Sequence, residues 1–180
     1  VQIAVTPDPQ YWVIIPPFPP PGWAREEARH RSAYLGVTGP QWRSELESLL
    51  EELQAMERQG RFARLMHIED AAKPPFMVDL SLEIAEDDGS KEGRRATQRR
   101  IIAQMLPQAE PVRLRPGHDM AGFSAFGDST GPTQGALVLR LAGLPTVPVD
   151  LVMRLWGASV STISPHLDDL VELARQVAPV

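Results

Sequence analysis
Over residues 40–60 the apolar side chains recur every third or fourth position, and over residues 76–84 every second one. The first spacing predicts a helix and the second a strand. In PQWRSELESLLEELQAMERQG, Trp42, Leu46, Leu49, Leu50, Leu53 and Met56 make one stripe, and Glu45, Glu47, Glu51, Glu52 and Glu57 take the other face. Gly39 and Pro40 fit the cap and first helical position, and Gly60 is placed as a closing glycine. In FMVDLSLEIAE, Phe76, Val78, Leu80, Leu82 and Ile84 alternate with Met77, Asp79, Ser81 and Glu83, which predicts one buried and one wetter strand face. RFARLMHIE before it predicts a partner strand. Phe62, Arg64, Met66 and Ile68 fall on one face, and Ala63, Leu65, His67 and Glu69 on the other.

The remaining elements follow the same logic. RRATQRRIIAQML predicts a short helix with Ile101, Ile102 and Met105 inward, ended by Pro107. PVRLRPGHDMAGFSAFGD predicts one or two strands broken near Pro116–Gly117, and QGALVLRLAGL and VDLVMRLWGASVS two more, joined near PTVP. Ser164 and Pro165 are placed as the cap and first residue of a closing helix whose apolar face is Leu167, Leu170, Val171, Ala174 and Val177. AREEARHRSAY, residues 24–34, predicts a short polar helix. Strands in adjacent runs favour antiparallel pairing over a regular strand–helix alternation. The expected fold is therefore α+β, one domain over residues 1–180. A central, mainly antiparallel sheet is flanked by helices as an α/β/α sandwich.

YWVIIPPFPPPGW, residues 11–23, joins strand formers to five prolines. A strand within residues 10–18 is expected, stopped by Pro16 and Pro17, with a proline-rich turn over residues 16–23. The apolar content of Trp12, Ile14, Phe18 and Trp23 calls for cover, so the segment reads as an edge of the fold that its prolines guard against pairing with another chain. Trp12 is expected to be buried and Trp23 the more exposed of the two. Stiff prolines also lose little entropy on binding, which makes Phe18 and Trp23 candidate partner contacts.

In element order the chain resembles the PsbP-like α/β/α sandwich family. The likeness is carried by YWVIIPPFPPPGW as first strand and turn, the Trp42 helix, MVDLSLEI, and then GALVLRLAG and LVMRLWGAS before the closing helix. That family includes a photosystem extrinsic subunit, a nuclear-transport factor, actinobacterial lipoproteins and chaperones of type VI secretion effectors. The resemblance implies a non-enzymatic protein-binding or adaptor role, such as an accessory factor or chaperone of a bacterial secretion or surface system. It carries over no catalytic or metal residues.

Composition narrows the chemistry. Hydrophobic residues make up 43% of 180, as in a globular protein, and a net charge of −5 argues against general nucleic-acid binding. The absence of cysteine removes disulfides, thiol nucleophiles and thiolate metal sites. No apolar run is long enough for a membrane span. No charged stretch followed by an apolar run opens the chain, so a cytoplasmic location is expected, with an exported form left open because the first residue is not Met.

GFSAFGDS places Gly127 one residue too late for a nucleophile elbow at Ser124, so no catalytic residue is expected. An enzyme whose polar site assembles from His118, Asp119 and Ser124 remains an alternative. None of His30, His67, His118 and His166 pairs at the helical i,i+4 spacing. His118 beside Asp119, and His166 near Asp168 and Asp169, read more simply as surface groups, and no metal site or cofactor is expected. Between Lys91 and Arg115 lie seven basic residues against Glu92 and Glu110. The segment 86–95 reads as a charged loop. Arg94, Arg95, Arg99 and Arg100 behind it are partner-contact candidates and, in a further alternative, an anion or nucleic-acid site. The plainer reading is a solvated helix face answering the acidic residues elsewhere in the chain.

Overall fold
The computed structural model describes residues 3–115, 120–128, 131–141 and 148–179. The chain runs through β1 (Ile3–Val5), β2 (Trp12–Ile14), α1 (Trp23–Tyr34), α2 (Pro40–Ala55), β3 (Arg61–His67), β4 (Phe76–Ile84), α3 (Lys91–Met105) and β5 (Val112–Arg113). It continues through β6 (Gly122–Phe126), β7 (Thr133–Arg140), β8 (Val149–Trp156), α4 (Val160–Ile163), a 3₁₀ turn at Ser164–His166, α5 (Leu167–Arg175) and β9 (Val177–Pro179). Seven strands form one antiparallel sheet in the order β2-β3-β4-β8-β7-β6-β5, and β1 pairs β9 in a separate ribbon.

The alternation in FMVDLSLEI works as a sorting device. Val13, Met66, Met77 and Trp156 lie in one cross-strand row, and Trp12, His67 and Phe76 in the next row on the opposite face. On the first face, Leu46, Leu50 and Leu53 of α2 and Ala24 and Ala28 of α1 pack over Val13, Ile15, Met66, Ile68 and Met77. Farther along the same face, Ile101 and Ile102 of α3 cover Phe123, Ala136, Val138 and Val152. The second face carries Leu65, Val78, Leu80, Leu137, Leu139, Leu151 and Met153. Leu170, Val171 and Ala174 of α5 and Val5 and Val177 of the ribbon close over it. Helices thus cover both faces of an antiparallel sheet, as the residue pattern predicts. Among the described residues no helix is long and apolar enough to cross a membrane.

Several boundaries differ from the sequence reading. Helix α2 starts at Pro40 behind Gly39 but ends at Ala55, where Met56 turns extended. Gly60, at φ +71°, serves the turn into β3 and does not cap the helix. Residues 91–95, expected in the charged loop, are helical because Ser90 stops the loop: its Oγ accepts from the Gly93 N–H at 2.9 Å. Ser90→Ala is expected to cost about 1 kcal/mol of stability, read as a lower urea midpoint at unchanged slope.

Ser164 and Pro165 do not open the last helix. They sit in the 3₁₀ turn between α4 and α5, and Val177 belongs to β9 opposite Val5. The Pro116–Gly117 break and most of the PTVP junction lie outside the described residues.

The β2 edge is guarded by more than its prolines. Arg31 of α1, only 3% exposed, donates to the carbonyls of Pro9, Gln10 and Trp12. Arg58 donates to those of Ile15 and Pro16. The guanidinium groups thus tie down both ends of the edge strand, and one of them occupies the Trp12 carbonyl within it.

Candidate functional site
The proline turn places an aromatic ring in solvent. Trp12 is buried and Trp23 is half-buried at the start of α1, as expected. Trp23, Ile14, Pro7 and Pro9 line a shallow cavity of about 230 Å³ between β2 and α1. The expected cover over Ile14 and Phe18 is absent: Ile14 is 43% exposed and Phe18 93%. The backbone leading into the Phe18 turn is held by the two Arg58 bonds, at 2.7 and 3.2 Å, and by the Ile15 N–H donating to Arg64 O at 2.9 Å.

The basic candidates share α3. Thr97, Gln98, Ile101 and Ile102 face inward, Arg94 and Arg95 are half-buried, and Arg99 and Arg100 are exposed. The Arg99 guanidinium lies 5.9 Å from the centre of the Phe123 ring, an intramolecular use for its charge. None of the four arginines enters an ion pair among the described residues. Of the hydrolase alternative, Ser124 is only 4% exposed, in register between Val112 and Leu137. His118 and Asp119 lie outside the described residues.

A different polar cluster forms where the second face meets the start of α5. His67 ends β3 in the same cross-strand row as Trp12 and Phe76. Its ring stacks on Phe76 at 4.7 Å and meets the edge of Trp12 at 4.7 Å. The 3₁₀ turn brings His166 to 4.6 Å from it, ring centre to ring centre. Nδ1 of His166 is 2.9 Å from Asp169 Oδ2 on α5. Ligand atoms from His67, His166 and Asp169 all lie within 4.8 Å of one another.

His67 and His166 line a cavity of about 480 Å³ together with Ser161, Thr162, Pro165 and the Glu69–Lys73 ion pair. Burial, reinforced by the nearby His166 ring, pushes the His67 imidazole down to about 4, so it is neutral at ordinary pH. Sequence reasoning singled out His166 with Asp168 and Asp169 but missed His67. The available signal was that His67 shares a face with Ala63 and Leu65, the face a closing helix has to cover.

Comparison with protein-family models, curated proteins and solved structures finds no match to this chain.

Proposed function
We propose that this chain is a non-enzymatic protein-binding domain that acts as an adaptor or chaperone through the surface around Phe18. The observation that carries this reading is a phenylalanine left 93% exposed on a turn whose approach is pinned by Arg58. An apolar ring on a stiff support gives up little conformational freedom when a partner buries it, the usual economy of a binding hot spot. The expected occupant is a folded protein with an apolar pocket for that ring. Ile14, 43% exposed, and half-buried Trp23 flank the turn in sequence and supply more apolar surface. The PsbP-like element order supports a role in a bacterial secretion or surface system.

Affinity capture from native lysate, read by mass spectrometry, tests the proposal. Wild type and an Arg94→Glu/Arg95→Glu variant are expected to retain the same dominant protein. Phe18→Ala is expected to retain at least roughly tenfold less of it, with an unchanged thermal midpoint because the ring is solvated in the free chain. A partner held equally by Phe18→Ala, or no retained partner at all, counts against the proposal. Loss confined to the charge variant transfers the site to α3.

A further inference from the structure
We propose that His67, His166 and Asp169 form a binding site for a divalent transition metal of the zinc class, with a coordination position open toward the adjoining cavity. The inference stands apart from the protein-binding reading, because it rests on other residues on another part of the fold.

The donor set selects the metal class. Two imidazoles and one carboxylate suit zinc, cobalt, nickel or iron, whereas magnesium and calcium prefer all-oxygen shells. One donor atom from each residue already lies within 4.8 Å of the other two. A tetrahedral shell at zinc–nitrogen distances requires donor separations of about 3.3 Å, so a modest closure completes it. His166 and Asp169 are already in contact at 2.9 Å, so the closure brings this pair toward His67, which is held between Phe76 and Trp12; the Asp169 side chain is 56% exposed and free to adjust.

The setting of His67 suits the role. The residue is only 4% exposed and lines the cavity, and among the described residues no hydrogen bond occupies its ring nitrogens, which leaves them available as donors toward that space. The Glu69–Lys73 pair at the cavity neutralises its own lysine, which lowers the electrostatic opposition to a dication. Three protein donors beside an open cavity match the pattern of sites that leave one position for water or an incoming group, unlike the closed four-ligand shells of structural zinc.

The test is a titration of the chelator-treated full chain with Co²⁺, followed by visible absorption, and with Zn²⁺ by calorimetry. The expected result is saturable one-to-one binding, displaced by Zn²⁺ and indifferent to a large excess of Mg²⁺. His166→Gln and Asp169→Asn alter residues that are not in the deep core and should leave the metal-free thermal midpoint nearly unchanged. Each is expected to weaken binding by at least about tenfold. His67→Gln should abolish the cobalt spectrum, and the two milder variants guard against its misfolding. No saturable signal up to about 100 μM metal, or full-strength binding in His166→Gln, overturns the proposal.

Discussion

Replacing Asp79 with alanine is expected to lower the unfolding free energy by about 3–5 kcal/mol, the usual consequence of stranding a buried charge. Arg64 is wholly buried and Asp79 is 2% exposed. The carboxylate accepts from Arg64 Nε at 2.6 Å and Nη2 at 3.3 Å, and from the Trp156 indole N–H at 3.2 Å, and it pairs with Arg61 Nη1 at 3.0 Å. The Arg64 guanidinium also donates to the carbonyls of Leu53, Met56 and Glu57, so it fastens the end of α2 to β3. Asp79 also offsets repulsion in a crowd of cations. Burial and then the charge of Arg64 hold Arg58 below its ordinary range, burial and then Arg61 do the same to Arg154, and Asp79 opposes both shifts.

Without the carboxylate, the buried guanidinium loses its counter-ion and its neighbours repel it. At two to four degrees per kcal/mol for a chain of this size, the midpoint should fall by about 10 °C. An Arg64→Met/Asp79→Leu double variant should recover part of the loss, because both charges leave together. Urea unfolding with an unchanged slope is the measurement. A loss under about 1 kcal/mol would mean that the pair is not buried in solution.

Arg140→Ala should be comparably damaging near neutral pH, and its effect should fade in acid. Arg140 donates from Nε to Asp150 Oδ1 at 2.9 Å and from Nη2 to Asp150 Oδ2 at 3.3 Å, and its Nη2 also bonds Asp87. Neither Asp side chain is exposed to solvent, and among the described residues Gln98 is the other side-chain donor to Asp150, at 3.0 Å. Removing the arginine leaves two buried carboxylates without their cation, a loss of about 3–5 kcal/mol.

The pH dependence follows from Asp87. Chiefly through the Arg140 hydrogen bond, its carboxyl is held below the usual carboxylate range. A depressed folded pKa contributes stability that is fully present above the unfolded value, about 3.9, and is lost as pH falls through the folded value. The gap between wild type and Arg140→Ala should therefore be widest near pH 7 and shrink as pH falls below about 4. Urea midpoints at pH 7, 5 and 3 read it directly. A gap that stays constant across that range would refute the assignment.

These two sites mark where residue spacing stops being informative. The alternation from Phe76 to Ile84 and the stripe from Trp42 to Leu53 were legible because every position answers to a solvent boundary that repeats with the element. Arg64 was placed correctly beside Met66 and Ile68, but its burial depends on Asp79 one strand away. No local pattern encodes that pairing. His67 and His166 meet only because α5 closes over the second face, so their contact depends on the topology and not on spacing. The ribbon β1–β9 left no trace in the sequence reading: three residues are too few to show a period, and Val177 continues the apolar spacing of α5 without being part of it. Phe18 was expected to need cover, and that cover was overestimated, because an apolar residue next to prolines need not turn inward.

The β1–β9 ribbon also sets how the chain meets a mechanical load. Ile3 faces Pro179 and Val5 faces Val177, so the first and last described strands emerge side by side at one end of the ribbon. Tension applied through both strand ends would peel their hydrogen bonds in succession from the Ile3–Pro179 pair, instead of loading them all at once as a shear would. The ribbon would give way at low force, while the seven-stranded sheet behind it had yet to bear the pull.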